Sequence, residues 1–421
     1  MVMHRGKLIR SGVAAAAAVA CAVAVSVPAL AAAGRPAGHR EPAPGGYGNI
    51  DTIQLGALPL SVAVDPRTDT TYVGEQGKGR VLRTAVLNDR TDKVVATLPV
   101  FGYNFAFDSR TGDFYLPTQG GVAIIAGQRL VKRVPVAADD VSVAAVDPRT
   151  GHVFVSVQNG TSSSIVVLSD RTNKVTGRIP LPASALVTPM AASPAHGLIY
   201  AGVTGLRHGP SVWVIGSRRA RVLARIPVGV QLIAFAVDDR DNLLGALSQD
   251  TLTVVDGRTH QARAPVDVTN GTPEAGAQAE GFNPQTRTFY AAVECDPASW
   301  VTGVSERTGK VVATINTQGA LRTLAVDTSR SVVFAVDYVG GDVLVINART
   351  NTVITTLGVG VHPGAVAVNP VTGRAYVANS SRTLSVLGPA GTSARPASGP
   401  AGTTARAAGG QAVSSRRGTC G

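Results

Sequence analysis

The stretch VSVAAVDPRTGHVFVSVQNGTSSSIVVLSDRTNKVTGRIPL, residues 141–181, decides the fold. It contains four runs of apolar and β-branched residues separated by clusters of Asp, Pro, Asn and Gly, the pattern of short strands joined by turns. The first turn, DPRTG at 147–151, is legible residue by residue. An Asp carboxylate accepts from backbone amides two residues on, Pro presets φ for the second turn position, and Gly takes the left-handed conformation at the exit. A second turn, DRTNK at 170–174, joins the third run to the fourth. The segment therefore reads as a four-stranded antiparallel unit.

Outward in both directions, the same unit recurs with drift from about residue 50 to about residue 388. Its first turns centre on Asp65, Asp108, Asp147, Ser193, Asp238, Asn283, Asp327 and Asn369, at steps of 43, 39, 46, 45, 45, 44 and 42 residues. A four-stranded unit repeated at that period predicts an all-β propeller, because a single such sheet buries both faces only when neighbours stack on it around an axis. The last unit supplies GAVAV, RAYVAN and TLSVLG but no fourth strand, whereas NIDTIQLG at 49–56 is a fourth strand with no unit before it. Pairing the two closes the ring, removes its exposed edges and makes eight blades. The count is seven if the irregular fourth or sixth unit is not a blade.

The ends set the compartment. Residues 1–33 carry Arg5, Lys7 and Arg10 ahead of an apolar run that ends in small residues at Ala29, Ala31 and Ala33, the pattern of a secretory signal peptide. A retained membrane anchor is the competing reading of the same run. Cys21 lacks the leucine expected of a lipidation motif. Residues 34–48 read as a linker, 49–388 as the propeller, and 389–421 as a disordered tail of Ala, Gly, Ser, Thr, Pro and Arg. The predicted location is secreted or associated with the cell envelope, with no transmembrane segment after cleavage. Removing the signal leaves Cys295 and Cys420, too few for a disulfide scaffold; a bond between them and two free thiols are both open.

The formal net charge of +12 includes three cations of the signal and four of the tail, so the propeller is only mildly basic. Arg67, Arg90, Arg149, Arg171, Arg258, Arg307 and Arg349 recur in the turns, most with an acid one or two positions earlier. That compensation favours turn networks over a nucleic-acid footprint, which needs clustered uncompensated charge. Nucleic acid is not an expected partner.

The repeats HPGAVAVNPVTGRAYVANSSRTLSVLG (362–388) and ATINTQGALRTLAVDTSRSVVFAVDYVGGDVLVINARTNTVITTLGVG before it resemble the YVTN, or YncE-like, family of β-propellers. The resemblance covers essentially all of residues 50–388. Other units depart from the YVAN pattern, as YVGEQ from Tyr72, FYLPT from Phe114, FVSVQ from Phe154 and YAAVE from Tyr290. It implies an exported or surface protein, in a family with relatives among lactonases and redox-enzyme domains.

Both repeated turns fall on one face of a propeller, and the varied loops on the other. Sites are expected where units differ, on loops carried by a rigid scaffold. The varied positions include Glu75, Gln76, Lys78, Tyr103, Asn104, Asp139, Asp140, Gln158, Asn159, Arg207, His208, Gln249, Glu280, Glu294, Asp296, Arg322, Asp337, Tyr338, His362 and Asn379. The ligand-binding candidates at the channel mouth are Glu75, Gln158, Gln249, Glu294, Asp337, Tyr338, His362 and Asn379. Glu75, Glu294, Asp337 and Asn379 offer oxygen ligands to a hard cation such as calcium, as in the metal-dependent lactonase propellers; the alternative is a solvated polar channel mouth. No GxSxG, HExxH, CxxC, CxxCH or P-loop is present, and Gly358–Gly364 has the wrong spacing for dinucleotide binding. The histidines are scattered and form no ring of ligands.

The expectation is a non-catalytic binding module for protein or cell-envelope polymer partners, monomeric and without a cofactor. A metal-dependent lactonase-like hydrolase is the alternative, and an anionic-polymer or nucleic-acid binder a second one.

Overall fold

The computed structural model describes residues 46–229, 231–295 and 298–390. The expected signal peptide, most of the expected linker, the tail beyond Ala390, Cys21, Asp296 and Cys420 lie outside the described residues. Eight antiparallel sheets form an eight-bladed β-propeller. Blades 1 to 7 span 58–98, 106–135, 140–180, 186–227, 232–267, 276–316 and 321–358. Blade 8 comprises three strands of 363–389 and, as its outermost strand, Tyr47–Gln54.

That last pairing closes the ring. Tyr47–Gln54 runs antiparallel to Thr383–Pro389, with Ile53 opposite Leu384 and Thr52 opposite Ser385. The predicted eightfold count and the split eighth blade are both present, and the irregular fourth and sixth units are full blades.

Within a blade, strand composition follows radial position. The second and third strands of blade 3, His152–Asn159 and Ser162–Ser169, are buried on both faces because neighbouring blades cover them, so they read as near-continuous apolar runs. The fourth strand, Lys174–Pro180, lies at the rim and buries little beyond Ile179. Two blades depart from this pattern. The first strand of blade 2 is reduced to Ala106–Phe107, and the outer strand of blade 5 is split into Gln261–Ala262 and Val266–Asp267. The second break frees Arg263, whose guanidinium donates to the carbonyls of Glu306 and Arg307 in blade 6.

The first turn behaves as its residues dictate. The acceptor oxygen of Asp65, Asp108, Asp147, Asp238, Asn283, Asp327 and Asn369 takes the amide two residues on, at 2.8–3.0 Å. Gly112, Gly151, Gly197 and Gly373 exit with positive φ, as do Asp69, Asn242, Arg287 and Ser331 in the other units.

The turns also join the blades. Arg67 donates to the Ser109 carbonyl, Arg110 to the Pro148 carbonyl, Arg149 to the Pro194 carbonyl and Arg330 to the Pro370 carbonyl, each reaching the first turn of the next blade. Three residues after seven of these eight left-handed exits stands a buried aromatic ring, at Tyr72, Tyr115, Phe154, Tyr200, Tyr290, Phe334 and Tyr376, and after the exit at Asn242 stands Gly245. Several of their hydroxyls cross the blade interface: Tyr72 donates to the Gly127 carbonyl, and Tyr290 to the Ala348 carbonyl and Asn351 Oδ1. The repeated words of the sequence are thus the fastenings of the ring.

Candidate functional site

The channel is walled by first strands, including Val64, Phe107, Met190, Phe235, Phe282 and Val326. These enclose an axial cavity of about 390 Å³ that opens among the first turns, beside Pro148, Pro194, Pro284 and Pro370. Its lining is mainly apolar. At the mouth, Asp239 is already engaged, accepting from the Ala195 amide at 2.9 Å and from Ser193 Oγ at 2.8 Å.

The sequence candidates at the ends of second strands stand one strand out from the first strands that wall the channel. Glu75 is buried and paired with Arg83 Nε at 2.6 Å. Burial lifts its pKa against the lowering effect of Arg83 and the Gly56 amide. Gln158 donates to the Gly160 carbonyl at 3.2 Å within its own hairpin. Gln249 is exposed, and its carbonyl accepts from Ala277 at the entry to blade 6. Glu294 is half-buried opposite Gly276. Asn379 is fully buried, and its Nδ2 donates to Thr383 Oγ1 at 3.2 Å and Ser385 Oγ at 3.1 Å.

The four proposed metal ligands belong to the successive blades 6, 7, 8 and 1, and the three acids among them, Glu75, Glu294 and Asp337, do not gather within 4.8 Å of one another. Among the described residues, the acids whose ligand atoms approach within 4.8 Å of one another are Asp238, Asp241 and Glu306, on the opposite, repetitive face. There Arg287 ion-pairs with both Asp241 and Glu306, while Asp238 caps its own turn through the Arg240 amide. Burial and the proximity of Asp238 raise Glu306 to about 7. The cluster has the make-up of a blade-to-blade fastening.

Glu280, expected on a varied loop, lies instead within the strand Gly276–Asn283 of blade 6 and is buried against blade 5. The reason is Gly245. At the position where the other blades carry an aromatic ring, blade 5 has no side chain, and a Cβ there would overlap Glu280 Oε1. The carboxyl group fills that space. Neither oxygen has a hydrogen-bond partner of normal geometry, and burial drives its pKa well above the carboxylate range despite the nearby amides of Ala236 and Leu247.

Three of the varied-face residues are brought together. Tyr338 stacks on His362, with ring centroids 4.8 Å apart and planes 19° from parallel. The Arg322 guanidinium lies 5.0 Å from the centre of the Tyr338 ring. Arg322 and His362 are exposed, and Val339 and Val361 beside them are 62% and 56% exposed. Asp337 holds this group in place: its Oδ1 accepts the amides of Ala320, Val339 and Gly340 at 3.0, 3.1 and 2.9 Å. Gly319 and Gly340 make room for the carboxylate, since a Cβ on either would overlap it. Ser380 fixes the third loop by donating its amide to the Val361 carbonyl and its hydroxyl to the His362 carbonyl. The result is an aromatic and cationic patch on tethered loops, the residue chemistry enriched in binding hot spots. Sequence reasoning named Asp337, Tyr338 and His362 as candidates and placed Arg322 among the varied positions, but spacing alone did not join them.

Cys295 carries no disulfide among the described residues, and no helix among them is long and apolar enough to cross a membrane. No family model matches the chain, and no curated protein matches it.

Proposed function

We propose that the protein is a secreted, non-catalytic binding module that engages protein or cell-envelope polymer partners through the varied face at blades 7 and 8. The observation that carries this reading is the Arg322, Tyr338 and His362 group, flanked by exposed valines and held by the buried Asp337 carboxylate. The first-turn arginines Arg67, Arg110, Arg149 and Arg330 are engaged in joining blades, whereas this patch presents aromatic and cationic surface outward. Such a surface on a preorganised scaffold binds with little ordering cost. The signal-like residues 1–33 support export, and the YVTN-like repeats support a surface or extracellular role.

The test is retention of fractionated envelope proteins and purified envelope polymers on the immobilised propeller, comparing wild type with Tyr338→Ala and Arg322→Ala. Retention that falls at least about tenfold in both variants, with folding intact, supports the assignment, as expected for hot-spot anchors. Unchanged retention in both overturns it.

A further inference from the structure

Blade 4 carries a second concavity on the varied face, remote in sequence from the Tyr338 group. The loop Gly205–Pro210 arches over the outer half of the blade and encloses, with the preceding loop at Pro182–Ala183, a pocket of about 590 Å³. Leu206, Trp213 and Pro227 supply apolar wall; Arg207, His208 and Arg225 supply cationic groups; and no acid lines it. Its size and mainly apolar lining are those of small-molecule sites.

The loop is held open by its backbone. Gly205 and Gly209 have φ of 75° and 83°, the Gly209 amide donates to the Leu206 carbonyl at 3.2 Å, and the Val228 amide donates to the Pro210 carbonyl at 3.2 Å. Below it, Trp213 is 1% exposed and donates Nε1–H to Ser211 Oγ at 3.1 Å. Arg225, its cross-strand partner, places its guanidinium 4.5 Å from the centre of the indole ring. The cation is therefore set against the indole ring at the pocket wall while the residue stays exposed.

The charged lining of the pocket is of one sign: Arg207 and Arg225 line it and no acid does. Residues 175–237 contain six Arg side chains and no Asp, Glu or Lys, and of these Arg207 and Arg225 face the pocket. An apolar pocket whose charged lining is cationic, in an acid-free segment, selects one kind of ligand: an apolar body bearing an anionic head.

We infer that the blade 4 pocket binds a small amphiphilic organic anion, with its apolar body against Leu206 and Pro227, close to the buried Trp213 indole, and its anionic head between Arg207 and Arg225. The probe is 8-anilinonaphthalene-1-sulfonate, an aromatic amphiphile with one sulfonate, titrated into the folded full chain. In Trp300→Phe, where Trp213 is the tryptophan that remains, saturable one-to-one binding quenches tryptophan emission. The Arg207→Gln, Arg225→Gln double variant weakens binding by at least about tenfold, as loss of a charge-assisted contact requires. N-phenyl-1-naphthylamine, the same body without the sulfonate, binds wild type at least about tenfold more weakly for the same reason. Arg207→Gln alone, on the exposed loop, weakens binding in the same direction and serves if the double variant fails to fold. Non-saturable binding, equal affinity for the neutral analogue, or affinity unmoved by the arginine substitutions each overturns the assignment.

Discussion

The Ala320 backbone amide donates to Oδ1 of Asp337 at 3.0 Å, which ties the loop entering blade 7 to that blade's own central hairpin. The same oxygen takes the amides of Val339 and Gly340, so one carboxylate fixes both sides of the Tyr338 platform. Asp337→Ala leaves three amides without that acceptor and is expected to cost about 2 kcal/mol in urea unfolding. Asp337→Asn keeps an acceptor oxygen and is expected to cost less. Equal unfolding midpoints for wild type and Asp337→Ala would contradict this role for the carboxylate.

Glu280 gives the ring an unusual pH response. Its folded-state pKa lies well above the unfolded value, so the folded protein binds the extra proton. Stability from this group is full below the unfolded carboxyl pKa, about 4.3, and is lost as pH rises through the folded value. Glu280→Gln, neutral at every pH, should remove that loss. Urea midpoints at pH 5 and pH 8 are expected to differ less in the variant than in wild type, with the variant the more stable of the two at pH 8. A steeper fall in the variant would refute the buried-acid account.

Gly245 is the counterpart of that acid. Adding a methyl group there drives Cβ into Glu280 Oε1 and toward Phe289 Cδ1, 2.8 Å away. Gly245→Ala is therefore expected to destabilise by about 1–3 kcal/mol through overpacking. In the Glu280→Ala background, where the obstructing carboxyl is gone, the same substitution should cost less. Additive effects across this double-mutant cycle would show that the two positions do not share the space.

How much of this was legible in the sequence depends on how far each partner lies along the chain. The Asp65 and Asp147 turns were readable because acceptor and amide are two residues apart. Closure was readable because a strand missing at one end reappeared at the other, and Ile53 does meet Leu384. Inter-blade contacts were not readable: nothing local says that the Tyr290 hydroxyl reaches Ala348, 58 residues on. Glu280 was misplaced because GAQAEGFN, with its small residues and lone acid, reads as a loop. The available signal was Gly245, the one blade position without the aromatic ring that the other units share. For the varied face, the sequence named Tyr338 and His362 separately; stacking them required the loops of blades 7 and 8 to be folded.

The fourth unit shows how the ring compensates when the repeat drifts. Ser193 stands where seven units have Asp or Asn, and the role of acceptor passes to Asp239 of blade 5, which takes both the Ala195 amide and Ser193 Oγ. The turn is therefore capped in trans, and its stability depends on the blade interface. Asp239→Ala should destabilise by about 1.5–3 kcal/mol, the range for hydrogen bonds to a charged group. Ser193→Asp introduced on top of it restores the in-unit cap used by Asp147, and is expected to recover most of the loss. In the wild-type background Ser193→Asp instead places a second carboxylate beside Asp239 and should destabilise through like-charge proximity. The sign of the Ser193→Asp effect thus reverses with the residue at 239. Urea unfolding of the four proteins measures the reversal directly, and an effect of the same sign in both backgrounds would exclude the trans cap.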